Sequence, residues 1–403
     1  MRRPLPLATA LALVAVASLA GCGRAADPNR LRFMAFSAGP AEDEALRAAI
    51  AAYQRVSPVR VELNIVPDYE TTLQAALAGG NPPDVFYVND IRLPDLASAG
   101  VLAPIGDQVE NPADFHPALR RAFSYQGRFY CPPKDFSTLA LAYDERALAA
   151  AGVAPPRTWA QLREAARRLT RPGRKGLVME AQFERWGAFL PGAGGWLTDA
   201  GLTRMTANTP QVREGFGFLA GLHRDGLAAT PGQLDAGWSG EALARGRAAM
   251  AVEGTWLAGA AAKDFPHLRW AAVPVPAGPR GGGTLSFSVC LAVAASSPVR
   301  DRALGLVRFL TAPSRMTAFT DRFPVMPSRR SLTARWTARN PRLAGFASGV
   351  DQARSVVFRP GFPEVLDALN DGIQGLAVGD RRLDEVLERV DWAGRPVLAG
   401  GAR

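Results

Sequence analysis

Lysine, histidine and cysteine are all scarce in this chain of 403 residues, and each scarcity narrows what it can do. Only Lys134, Lys175 and Lys263 are lysines, so arginine carries nearly all of the net charge of +10. The arginines are scattered among acidic residues without an extended basic run, so the stripe that nucleic-acid binding requires is missing. Abundant alanine and arginine beside so little lysine point instead to GC-rich coding. His116, His223 and His267 stand far apart, and no Cys-x-x-Cys or Cys/His spacing occurs, so neither metal nor other cofactor is expected. Catalytic signatures are absent too: no GxSxG elbow, no HExxH, no Walker A sequence. In GAGGWL, Leu197 stands where a dinucleotide loop would place its third glycine. No repeat or low-complexity segment is found.

The amino terminus is the most specific feature present. Arg2-Arg3 precede an apolar stretch over 5–20 that contains proline and closes on Leu19-Ala20-Gly21-Cys22. It is too short and ends too small for a membrane span, so residues 1–21 read as a signal peptide. The LAGC ending resembles a bacterial lipobox, which implies lipidation of Cys22 and a tether over 22–29; an ordinary signal peptide with a chance cysteine is the plain alternative. Gly23 is not the aspartate that tends to retain lipoproteins at the inner membrane, so either membrane fits. Cys131 and Cys290 remain, and in an oxidising compartment they can bridge or stay free.

The length and a composition 48% hydrophobic and 21% charged suit a soluble protein of two or more domains. Residues 31–36 and 84–88 read as short apolar strands, and Val59, Val61, Leu63 and Ile65 alternate with polar residues in a third. Helices starting near Glu42 and Tyr69 separate them, giving the strand–helix order of a parallel sheet in an α/β fold. Ligands bind in loops at the carboxyl ends of such strands, here Ser37–Gly39, Asp68-Tyr69 and Asn89-Asp90. The pattern restarts after FYCPPKDFSTLALAYD (129–144), where Pro132-Pro133 bends the chain ahead of Lys134-Asp135 and a strand. Further on come a capping box at Thr158–Gln161, strands over 177–180, 249–253 and 284–295, and a helical tail over 363–376 and 383–390.

Four blocks in serial order resemble the family 1 extracellular solute-binding proteins, the carbohydrate-binding components of ABC importers. They are YETTLQAALAGGNPPDVF (69–86), YCPPKDFSTLALAYDERALAAAGVAPPRTWAQLREAARRLT (130–170), ALARGRAAMAVEGTW (242–256) and VPVPAGPRGG…VCLAVAASS (273–297). The resemblance covers most of 30–395. It implies a two-lobe periplasmic-binding-protein fold that closes by hinge bending. The N-lobe would hold 30–133 plus 291–327, and the C-lobe 134–290 plus 328–403. Crossover strands over 130–136 and 287–291 would lie side by side, which makes a Cys131–Cys290 bridge conceivable, although two free buried thiols is the preferred expectation. Two permease subunits in the membrane and a cytoplasmic ATPase are the implied partners of a monomeric receptor.

A sugar offers apolar ring faces and a rim of hydroxyls, so its binders supply aromatic plates with carboxylates or amides. Trp256, in a Gly-Thr-Trp turn after a strand, matches a family position that stacks on ligand; core packing is its structural alternative. Trp186, Trp196 and Trp238 are further candidates from the C-lobe. Asp90 and Asp135 are the expected carboxylates, with helix capping the alternative for Asp90. Ser37, Gly39 and Glu42 line the first loop, where Glu42 can simply serve the helix dipole. Tyr69 can stack or donate its hydroxyl, Ser286 and Ser288 enter from the second crossover, and Arg359 resembles a family contact. Lys134 is able to pair with Asp135 and leave neither free. The expected function is capture of a sugar or sugar derivative, with a phosphorylated polyol such as a glycerol phosphate diester as the alternative. A glycosidase pairing Asp90 with Glu184 or Glu253 is a more distant one. An envelope lipoprotein acting only through protein contacts predicts no stabilisation by small ligands.

Overall fold

A computed structural model describes residues 29–400; the expected signal peptide, Cys22 and the expected tether before Asn29 lie outside the described residues. One sheet has four strands in the order Val289–Val293, Val85–Asn89, Arg30–Ala35 and Arg60–Ile65. The last two are parallel, with Leu31 opposite Val61 and Phe33 opposite Leu63, so every second side chain enters one core. Helices Pro40–Gln54 and Tyr69–Ala78 make the crossovers. Val289–Val293 runs antiparallel against Val85–Asn89, with Cys290 opposite Val88. This lobe therefore packs residues from 31–131 together with residues from 289–325.

The second lobe is built on five strands in the order Trp270–Pro274, Ala140–Asp144, Ala248–Glu253, Lys175–Val178 and Ala228–Ala229. Its strand Ala140–Asp144 is covered on both faces. Leu139 and Leu141 enter one core, while Ala140 and Ala142 pack with Trp336 and Phe346 in another. The tail helices Pro363–Val378 and Leu383–Ala399 are two to nine residues longer than their periodicity suggests and close the first of these cores. Asp144 is a cap rather than a helical residue: its Oδ1 accepts from the N–H groups of Arg146 and Ala147 at 2.8 and 3.2 Å.

Two long strands expected from the alternation are each broken in the middle. Ser137–Thr138 and Ala140–Asp144 belong to different sheets, and so do Thr284–Phe287 and Val289–Val293. Ser137–Thr138, Thr284–Phe287 and Ala353–Ser355 form a separate three-stranded sheet between the lobes. Alternation continues across each break because both halves are buried, one in the sheet between the lobes and the other in a lobe sheet, so the periodicity carries no sign of the change.

The two crossover segments run side by side. Lys134 N–H donates to Val289 O at 2.9 Å, and Leu291 N–H to Pro132 O at 3.1 Å. This register sets Cys131 against Cys290 with their Cα atoms 5.4 Å apart, and the two form a disulfide. The expectation of two free thiols is thereby corrected. Both cysteines are buried in the N-lobe core, so the bridge joins the two stretches of chain that build it.

Candidate functional site

A cleft of about 320 Å³ lies between the lobes. One wall comes from strand ends and loops of the four-stranded sheet, including Phe36, Ala38, Asn89, Asp90 and Ile91. Glu184 and Trp256 form the other, and the crossovers supply the floor through Lys134, Asp135, Ser137, Phe287 and Ser288.

Trp256 begins the helix Trp256–Lys263 directly after the strand Ala248–Glu253 and a Gly-Thr turn. Its ring lies so close over Gly254 that a Cβ there would sit 2.3 Å from the indole, so only glycine permits this turn. The indole Nε1–H donates to Glu253 Oε2 at 2.7 Å, and Phe287 meets the ring edge-on at 6.0 Å. Behind it, the Arg185 guanidinium stands 5.3 Å from the ring centre and pairs with Glu180 at 3.1 Å and Glu253 at 3.6 Å. Burial pushes the Glu253 carboxyl up to about 7, helped by the charge of Glu180 and opposed by Arg185.

At the floor, Lys134 Nζ donates to Glu42 Oε1 at 2.8 Å and also to Asp135. All three side chains are buried, and the ammonium sits 4.7 Å from the Phe319 ring centre. Burial works to lower the Lys134 value, but the Asp135 and Glu42 charges outweigh it and raise it, so the ammonium stays charged. Asp135 is pushed upward by burial, with Lys134 pulling it back. Ser288 Oγ–H donates to the Asp135 carbonyl at 2.6 Å, which ties the two crossovers together. On the N-lobe wall, Asp90 accepts from Val356 N–H at 3.1 Å; burial pushes its carboxyl up to about 7, and the nearby Glu184 charge adds to the rise. Glu184 is likewise raised by burial, and its Oε2 has no hydrogen-bond partner.

The structure brings Glu42, Asp90, Asp135, Trp256 and Ser288 together in this cleft, with Ser37 and Gly39 in the adjoining loop. Six other candidates stand elsewhere. Trp186 is fully buried in the C-lobe core, stacked 5.5 Å from His223. Trp196 packs against Phe183 and Phe358, with Arg354 over its ring. Trp238 lies on Gly240 beside the third core, and Tyr69 donates its hydroxyl to the Tyr87 carbonyl inside the N-lobe. Ser286 Oγ is 3.1 Å from Ser355 Oγ in the hinge sheet, and Arg359 is half-buried and does not line the cleft. Asn89 lines the cleft beside Asp90, as the loop placement suggested, and lining residues that the sequence does not single out are Phe36, Phe287, Phe323 and, for ligand contact, Glu184. Position directly after a strand could have marked Phe36; nothing local marks the rest. Among the described residues, no cluster suited to a metal ion and no helix long and apolar enough to cross a membrane is found.

This geometry, a cleft between two α/β lobes joined by crossing strands, is that of a receptor that closes on a small molecule. Residues 48–344 match the bacterial extracellular solute-binding protein family, and the chain belongs to that family. The maltotriose-binding protein of Pyrococcus abyssi is 25% identical over 225 residues, 55% of this chain, and the match spans about half (48%) of that relative's length. The GacH receptor of Streptomyces glaucescens, known unliganded and in complex with acarbose, is 25% identical with a TM-score of 0.82, covering 91% of this chain and 98% of the receptor. UgpB of Mycobacterium tuberculosis, in complex with glycerophosphocholine, is 22% identical with a TM-score of 0.81 over 93% of this chain and 99% of its own. The expected two-lobe binding-protein fold is the fold found.

Proposed function

We propose that this protein is the substrate-binding lipoprotein of an ABC importer, closing on a sugar or sugar derivative and presenting the closed form to the permease. The observation that carries the reading is the cleft itself. An indole fixed by Glu253 and three phenylalanine rings supply apolar plates, while Asn89, Asp90 and Glu184 supply acceptors at their edge. A volume of about 320 Å³ favours a mono- or disaccharide over a long oligosaccharide. The GacH receptor and the maltotriose-binding relative support the same class.

The phosphorylated polyol remains a second reading because of the likeness to UgpB. The charge of the cleft opposes it: the one lining cation, Lys134, is already held by Glu42 and Asp135. Calorimetric titration and thermal shift over sugars and phosphorylated polyols test the choice, since a ligand at 100 times its Kd adds about 2.7 kcal/mol of stability. Stabilisation by phosphate esters alone would overturn the sugar reading.

Family membership also speaks for binding without turnover, so Asp90 and Glu184 act as acceptors, and release of products from aryl glycosides would contradict this. Anchoring through Cys22 after removal of 1–21, the tether over 22–29, a monomeric state and permease partners complete the proposal. So do lobes of 30–133 plus 291–327 and 134–290 plus 328–403. Radiolabelled palmitate incorporation, lost in Cys22→Ala, checks the anchor.

A further inference from the structure

The cleft lining is strongly unbalanced in charge. Four carboxylates, Glu42, Asp90, Asp135 and Glu184, face one cation, Lys134. That lysine bonds to Glu42 and Asp135, which leaves Asp90 and Glu184 from opposite lobes. Asp90 is only 4% exposed, and its carboxylate accepts from backbone N–H groups, those of Val356, Ile91 and Asp90 itself, with no cation paired to it among the described residues. Glu184 bonds to Asn370 through its carboxylate, but its buried Oε2 accepts nothing. The nearest guanidinium, Arg185, is shared between Glu180 and Glu253. Burying carboxylates without cations is costly unless a ligand compensates them.

Aromatic faces make the second observation. Phe36, Trp256, Phe287 and Phe323 line the same cavity. Rings beside uncompensated carboxylates are the chemistry that recognises an organic ammonium. The cleft floor already receives one in this way, since Lys134 Nζ lies 4.7 Å from Phe319 and 5.3 Å from Tyr87.

We propose that the ligand is a sugar or polyol carrying a protonated amine, with its ammonium held between Asp90 and Glu184 among the aromatic rings of the cleft. This rests on the sugar-binding reading. A phosphate or carboxylate on the ligand would add negative charge to an acidic cavity, and a neutral sugar would leave Asp90 and Glu184 without a cation paired to them in the cleft.

Matched probes test it by calorimetry on the mature protein: glucosamine against glucose and N-acetylglucosamine, and N-methylglucamine against sorbitol. The amine of each set is expected to bind about tenfold or more tightly than its neutral partner. Asp90→Asn and, separately, Glu184→Gln are expected to bring that ratio below about threefold, and circular dichroism identifies a variant that fails to fold. Neutral members binding as well as the amines would overturn the inference and leave the sugar reading in place. A preference for glycerol 3-phosphate, or no binding by any probe, would overturn both. An amine preference unchanged in both folded variants would remove the assignment to Asp90 and Glu184.

Discussion

Lys134→Met is the most exposed consequence of the charged cluster at the cleft floor. The side chain keeps its length and loses its charge, leaving Glu42 and Asp135 buried at 2% and 7% exposure without their cation. The Lys134–Glu42 contact at 2.8 Å is worth about 6 kcal/mol of gross attraction at an effective dielectric constant of 20. Desolvation offsets part of this, and removing one partner of a buried ion pair typically costs about 3–5 kcal/mol. Urea unfolding at pH 7 should show a loss of that size. The sign of its pH dependence follows from Asp135, whose carboxyl burial already pushes upward and which loses the lowering effect of Lys134 in the variant. Its protonation then relieves the uncompensated charge, so the loss should shrink at pH 5. The triple variant Glu42→Gln, Lys134→Met, Asp135→Asn should recover most of the stability, because no buried charge is left unpaired. A loss below about 1 kcal/mol at pH 7, or one that is equal at both pH values, refutes the reasoning.

Three other perturbations follow from the same geometry. Asp90, held near 7 against an ordinary 3.8, binds its proton more tightly in the folded state, so its contribution is complete below about 4 and lost as pH rises through about 7. That amounts to about 4 kcal/mol, and the difference in stability between wild type and Asp90→Asn should show that fall between pH 4 and 8 in the free protein; a flat difference counts against it. Trp256→Ala and Gly254→Ala should both weaken ligand binding by about tenfold or more in calorimetry, the second by pushing the ring off its seat, and full affinity in either would remove Trp256 from the site. Cys131→Ser with Cys290→Ser opens a cross-link between positions 159 residues apart and should lower stability by about 2–5 kcal/mol, read as a drop in Tm that reducing agent reproduces in the wild type.

Much of the N-lobe was legible because its strands are short apolar runs or alternate and its first helix begins with acidic residues, so Arg30–Ala35, Arg60–Ile65 and Val85–Asn89 fall close to where the sequence pattern places them. The broken crossovers were not. A strand that changes sheet at Ser288 stays buried on both sides, and burial is all that the pattern reports. Among the candidate ligand groups, Trp256 and Asp90 follow strand ends, and strand ends define the cleft rim. Trp186 and Trp196 have the same loop-like sequence surroundings but turn inward to fill the C-lobe core. Composition favours tryptophan as a sugar plate, so the phenylalanines of the cleft escape notice. Phe287 and Phe323 reach it only through long-range chain crossings that no local pattern records. The disulfide was open for the same reason, since its geometry depends on the pairing of Lys134 with Val289.

The bridge also sets an order of events. A chain leaving an export channel amino end first presents Cys131 long before Cys290, with most of the C-lobe still to come. The N-lobe sheet waits for its edge strand Val289–Val293 over the same interval. With three cysteines in the sequence, and Cys22 lipidated as proposed, Cys131 has no wrong partner within its own chain. Its premature oxidation can only join two molecules. On that proposal, correct pairing depends on keeping neighbouring chains apart while they emerge, rather than on reshuffling disulfides afterwards.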